Sequence, residues 1–257
     1  MNSGLLSFYL KKTDGAEFKE HLSDHIETAL NNSNRLSDSR IVMLARNIMK
    51  NIDFEQLLRL AIIFHDSGKA FFQQNLKKLK SGETYLSFAG HEFVSAIIAD
   101  MFVKELSSET MHEVYLAVPF SILYHHHAMN PHLREEQKLT YVCKIALENY
   151  SRYSDELKNT LEKFLEESEH EAFAKCIERL RLERQNILSP TYLRHILKRK
   201  LDEAFIKECR PAFQKLAFLL LDSLIVCDYI AAQKRGAGVS STFSKAVQIF
   251  YNLWFSR

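Results

Sequence analysis

Seven positions in this sequence have the types and surroundings of metal ligands: His21 or His25, His65, Asp66, His91, two of His125, His126 and His127, and Asp228 or Asp222. His21 and His25 are four residues apart, so on a helix they share one face and either can serve. Read alone, the pair is more simply two partly exposed histidines on an amphipathic helix. His65 and Asp66 end the apolar run "RLAIIFHD" and are followed by Ser67, Gly68 and Lys69. Helical neighbours point about 100° apart, so both can serve one centre only where the helix stops, and Gly68 permits that. An acid at a helix C-terminus opposes the macrodipole, which argues for a compensating cation. Lys69, one turn on, is within reach of a phosphate. His91 follows Gly90 at the start of "HEFVSAIIADMF". In "ILYHHHAMN" three imidazoles close an apolar helix; burying them unpaired is costly, so at least one, and fittingly two, should be ligands. Asp228 lies in "LLLDSLIVCDYIAA", where an acid needs a partner or a cation, and Asp222 is its rival.

All seven offer nitrogen or oxygen and none a thiolate. That set suits Mn, Mg, Ni, Co or Fe better than a structural zinc. Seven ligands exceed the need of one ion, and a carboxylate can bridge two. A pair of divalent ions sharing Asp66 is therefore expected, with hydrolysis at phosphorus as its chemistry. Asp66 and Lys69 are expected at the reacting centre.

Helical periodicity must position these residues. "GAEFKEHLSDHIETALNN" places Phe18, Leu22, Ile26 and Leu30 on one stripe, predicting a helix of three to four turns. "SDSRIVMLARNIMKNI" predicts a second helix, capped by Ser37 or Asp38, and Asp53 caps a third. "SGKAFFQQNLKKLKSGE" reads as a short basic helix ending near Ser81-Gly82. Helices follow from His91 and His112, the latter bent or begun at Pro119. Residues 135–188 are helical and charge-rich, an accessory hairpin or lid. A helix starts at Ser189-Pro190, the most apolar helix begins at Pro211, "KRGAGVSST" is a loop, and a closing helix ends the chain. No period-2 strand or internal repeat stands out. The expectation is all-α: one helical-bundle domain over 1–257, with 135–188 as an accessory insertion and the metal site at its centre.

Composition agrees. The chain has 257 residues, 46% hydrophobic and 26% charged, and its 7 Gly and 4 Pro favour long helices over many short strands. Four cysteines without a CxxC pair suit neither a zinc ribbon nor a disulfide framework. A net charge of +2 confines any nucleic-acid footprint to a local patch. No segment is expected to span a membrane, and near the N-terminus the basic residues follow the apolar run, the wrong order for a secretory signal. A cytoplasmic setting is expected.

In chain order, "EHLSDHI", "HDSGK", "GHEFVSA", "ILYHHHA" and "CDYIAA" resemble the signature of the HD phosphohydrolase superfamily, over residues 17 to about 232. Within it the chain most resembles the stand-alone CRISPR-associated HD nuclease of type I interference. The resemblance implies a helical HD fold and a metal-dependent nuclease acting chiefly on single-stranded DNA, or RNA, in antiviral defence. It assigns His21, His65, Asp66, His91, His125, His126 and Asp228 as ligands. The partners it implies are a DExH-type helicase, expected on a separate chain because no "GxxxxGK[ST]" occurs, and the RNA-guided surveillance complex. The alternative is an HD-type nucleotide or cyclic-nucleotide phosphohydrolase. Basic runs at Lys77, Lys78 and Lys80, or at Arg194, Lys198, Arg199 and Lys200, could guide a strand, and Phe71, Phe72 or Tyr229 could stack bases. Solvated faces and core packing are the plainer readings of both sets.

Overall fold

The computed structural model describes residues 4–34, 36, 39–106, 109–126, 136–207, 210–233 and 242–255. Most of these are helical, but a small antiparallel sheet corrects the all-α expectation. Strands β1 (Leu6–Lys11), β2 (Glu17–His21), β3 (Leu76–Lys78) and β4 (Thr84–Leu86) are ordered β2-β1-β4-β3. The β1–β2 turn contains Asp14-Gly15: Gly15 has φ +89° and Asp14 Oδ1 accepts a hydrogen bond from the Ala16 amide at 2.9 Å. A second turn, between β3 and β4, uses Gly82 at φ +96°. The predicted basic helix after Gly68 is thus a 3₁₀ turn, Ser67–Phe72, followed by a hairpin.

Helix α1 (Leu22–Ser33) begins only after β2. Helix α2 (Arg40–Ile48) is capped by Ser39, whose hydroxyl accepts from the Val42 amide; Ser37 and Asp38 lie outside the described residues. Asp53 caps α3 (Phe54–Phe64), accepting from the Gln56 amide at 2.9 Å. Every residue of α3 from Leu57 to Phe64 is buried save Arg59, so this helix is a central rod. Helices α4 (His91–Leu106), α5 (Glu109–Tyr115) and α6 (Ala117–Tyr124) follow, with the break between α5 and α6 at Leu116 and Pro119 in the first turn of α6.

Helices α7 (Glu136–Leu161) and α8 (Glu167–Ile187) carry the charge-rich region. They pack on the body: α7 lies against the 3₁₀ turn, where Asn149 Nδ2 donates to the Phe71 carbonyl at 2.9 Å, and α8 lies along α4 with Phe173, Cys176 and Leu180 buried. Arg59 of α3 reaches the Phe164 carbonyl and the buried Glu169 carboxylate, tying the α7–α8 connection to the central rod. Ser189 starts the next segment, its hydroxyl accepting from the Tyr192 amide. That segment has π-helical turns, 192–198 and 203–207, on either side of α9 (Arg199–Asp202).

Helix α10 (Pro211–Gln233) packs against α1, α3 and α6, and α11 (Thr242–Trp254) packs on α10. Contrary to expectation, α10 is long and apolar enough, by length and composition, to cross a membrane. It also carries Lys215, Asp222 and Asp228 and contributes nine buried residues to the core. The "KRGAGVSST" loop falls, apart from its last residue, outside the described residues.

Candidate metal centre

The convergence of α1, α3, α4, α6 and α10 brings seven side chains together in two groups that share Asp66. One group is His25, His65, Asp66 and Asp228; the other is Asp66, His91, His125 and His126. Within each group the potential ligand atoms lie within 4.8 Å of one another. His65 and His125 follow the last residues of α3 and α6, and His91 opens α4. His25 and Asp228 instead lie within α1 and α10.

His21 stands outside both groups, and His25 occupies the place expected for it. The reason is the start of α1. Were residues 17–33 one helix, His21 and His25 would share a face. Because His21 ends β2, its ring turns away and its Nδ1 lies 3.3 Å from the Gly4 carbonyl. Asp222 lies on the exposed side of α10 and joins neither group. His127 lies outside the described residues, and of the histidine tract the structure brings His125 and His126 into the cluster.

The orientation of the rings is set locally. Nδ1 of His65, His91 and His125 each meets the carbonyl three residues earlier: Ile62 at 2.7 Å, Phe88 at 2.7 Å and Ile122 at 2.6 Å. The Ile62 and Ile122 carbonyls belong to last helical turns, where intrahelical partners run out. A carbonyl only accepts, so Nδ1 carries a proton in each ring and Nε2 is the atom turned to the cluster, open to a metal whenever the ring is neutral. His25 Nδ1 is held by a carboxylate, Glu20 Oε2 at 3.3 Å, on the strand leading into α1. Sequence reasoning passed over Glu20; nothing in its spacing distinguishes it from other strand acids.

These Nε2 atoms face carboxylate oxygens. His91 Nε2 lies 2.9 Å from Asp66 Oδ1, while His25 and His65 Nε2 each lie 3.4 Å from Asp66 Oδ2. Asp228 Oδ1 is 3.0 Å from His25 Nε2 and 3.6 Å from His65 Nε2. The two oxygens of Asp66 thus face different groups. His65 Nε2, His125 Nε2 and Asp66 Oδ1 are buried without a hydrogen-bond partner. Such acceptors cost about 1–3 kcal/mol each when left unsatisfied. Several buried acceptors facing one another call for a cation, and the donor set fits divalent metal.

The electrostatics agree. Burial would raise the Asp66 carboxyl, but His65, Lys69 and His91 outweigh it and hold the group well below the usual range. Burial opposes ionisation of Asp228 too, and contacts with His25 and His65 again prevail. For His125, burial and the adjacent His126 ring push the imidazole well below its ordinary value. His126 is pushed down to about 3 by burial and by His91. Both rings are therefore neutral near pH 7, the state a metal ligand needs. His25 is the exception: burial opposes its charge, but Asp228, Glu20 and Asp66 raise it above the ordinary value. The Lys69 ammonium sits 2.6 Å from Asp66 Oδ2, a positive charge at the shared carboxylate.

Other expectations fall away from the site. Phe71 and Phe72 are fully buried, and Tyr229 packs edge-on against Phe243. Arg199 pairs with Glu203 and Lys200 with Asp100. Lys77, Lys78 and Lys80 are exposed in the β3–β4 hairpin region.

The HD domain family model matches residues 39–151, which hold His65, Asp66, His91, His125 and His126 but not His25 or Asp228. No curated protein and no solved structure matches the chain. The family match and the two His/Asp groups support a metal-dependent phosphohydrolase of HD type.

Proposed function

We propose that this chain is a two-metal phosphodiesterase that cleaves single-stranded DNA, as the nuclease of a CRISPR antiviral system working with a separate DExH-type helicase and an RNA-guided complex. The observation that carries the two-metal reading is the split of Asp66, Oδ1 toward His91 and Oδ2 toward His25 and His65, with unsatisfied buried acceptors around it. His25, His65, Asp66 and Asp228 would hold one ion; Asp66, His91, His125 and His126 the other. When bound, such a pair activates water and offsets charge on the attacking and leaving oxygens. The chain's own residues do the rest. Backbone carbonyls hold the His65, His91 and His125 rings and Glu20 holds His25, so that these four need little reorganisation on binding. Lys69 supplies a positive charge beside the shared carboxylate, placed to meet charge developing on phosphoryl oxygens. Strand cleavage and the partners rest on the order of the five motifs.

The test uses metal-stripped protein and Asp66→Ala, each given Mg, Mn, Co, Ni or Zn, against single-stranded DNA, duplex DNA, RNA and a panel of nucleotides. Metal-dependent cleavage of single-stranded DNA that vanishes in the variant is expected. Turnover of nucleotides with the DNA intact would refute the nuclease reading and leave the nucleotide phosphohydrolase in its place.

A further inference from the structure

The small sheet has two faces of different character. Cross-strand partners share a face, so the register places Phe18 of β2, Leu10 of β1, Tyr85 of β4 and Lys77 of β3 in one row across all four strands. Lys12 joins this face, its ammonium 4.9 Å from the centre of the Phe18 ring. Phe18 is 37% exposed and Lys77 is exposed. Among the described residues no carboxylate pairs with Lys12 or Lys77. The opposite face carries Lys11, Lys19 and Glu17, and there Glu17 takes both ammonium groups, at 3.0 and 2.7 Å. That face thus gathers Lys11 and Lys19 around one carboxylate beside Tyr9, whereas the first face sets Phe18 and Tyr85 beside Lys12 and Lys77, which no carboxylate among the described residues pairs.

The Phe18 face also leads to the metal groups. Along β2, Glu20 is two residues from Phe18 and so lies on the same side. Its carboxylate is 3.3 Å from His25 Nδ1. The Ser67–Phe72 turn that follows Asp66 runs on through Gln73, whose side chain bonds both backbone groups of Leu6 in β1. The sheet is thus built onto the two segments that carry His25 and Asp66.

We infer that the Phe18–Leu10–Tyr85–Lys77 face, with Lys12, is a binding surface for single-stranded nucleic acid, stacking bases on Phe18 and Tyr85 and delivering the backbone toward Asp66. This rests on the nuclease reading and adds to it the surface that holds the strand. The two rings lie about 10 Å apart, across one intervening strand, so they engage separate bases. Base–aromatic stacking needs only a π-face, which predicts little sequence preference and strong salt dependence.

The test is fluorescence anisotropy of labelled oligo-dT and oligo-U, each of about 16 nucleotides, with chelator present so that nothing is cleaved. In parallel, manganese-dependent turnover of bis(p-nitrophenyl) phosphate reports the metal site without needing the sheet. Phe18→Ala and Tyr85→Ala should each weaken strand binding by at least about fivefold. Lys12→Gln and Lys77→Gln should each flatten the dependence of log Kd on log salt by about 0.7. Diester turnover and melting temperature should stay as in the parent. Full-strength binding by the Phe18→Ala/Tyr85→Ala double variant, or no strand binding by the parent, would overturn the surface assignment. Loss of the nuclease reading shows separately, as absent diester turnover by the parent, because the binding arm needs no catalysis.

Discussion

Replacing Gly68 with alanine tests how the site is held together. A Cβ built there would lie 2.3 Å from the His91 carbonyl oxygen and 3.0 Å from the Ser95 amide nitrogen and hydroxyl. The Gly68 amide already donates to Ser95 Oγ at 2.8 Å, so the 3₁₀ turn sits directly on the first turn of α4. Two effects compete. Gly68 is not among the positive-φ glycines, so alanine gains about 0.4–1 kcal/mol by restricting the unfolded chain. Against this, the obstacle is backbone, which cannot swing aside, and overpacking of this kind costs about 1–3 kcal/mol. The clash wins, with a net loss of up to about 2.6 kcal/mol. The larger consequence is local. Asp66 sits two residues before the clash and His91 supplies the clashing oxygen, so the 2.9 Å Asp66–His91 approach must open. A displacement of about 1 Å can cost on the order of a hundredfold in rate. Denaturant unfolding of metal-stripped protein gives the first quantity, and calorimetric titration with manganese, beside diester turnover, gives the second. A Gly68→Ala protein as stable as its parent, with unchanged manganese affinity, would refute this account of how the turn and α4 fix the site.

Stability of the metal-free chain should fall as pH drops from about 6.5 toward 3. The folded value for His126 is about 3, below the unfolded one, so across that window the unfolded chain binds the extra proton. His125 acts in the same direction and His25 in the opposite one, leaving a net loss of about a few kcal/mol in urea titrations at stepped pH; stability that rises on acidification would contradict it. Glu20→Ala should weaken metal binding by about 10- to 100-fold while leaving the seven candidate ligands in place, read by calorimetry. Saturating manganese at about 100 times Kd should stabilise the parent by about 2.7 kcal/mol and Asp66→Ala by far less, seen as a shift in thermal midpoint.

The site was largely legible because its residues are out of place in their local setting. An acid inside α10, His65-Asp66 ending the apolar last turns of α3, and His125-His126 ending α6 all imply a compensating partner before any fold is known. His25 was harder, because the choice against His21 depends on where β2 stops and α1 starts, a boundary fixed by pairing with β1. The sheet did have a signal: Leu6, Phe8 and Leu10 alternate, and Asp14-Gly15 is a hairpin dipeptide. The helical stripe through Phe18, Leu22 and Ile26 competes with it, and nothing local decides between them. Ser81-Gly82 has the same ambiguity, since a glycine at positive φ ends a helix as readily as it turns a hairpin.

The division of one carboxylate between two sets of imidazoles has a thermodynamic corollary. Occupancy on one side of Asp66 changes what its other oxygen can offer, and the Lys69 ammonium at Oδ2 competes for the same negative charge. On the proposed two-metal reading, filling the two halves is a linked process, and linkage is reciprocal: whatever factor the first ion would apply to the second, the second would apply to the first. Half-filled protein is then a distinct species with its own affinity, and its abundance depends on free metal concentration as well as on total metal.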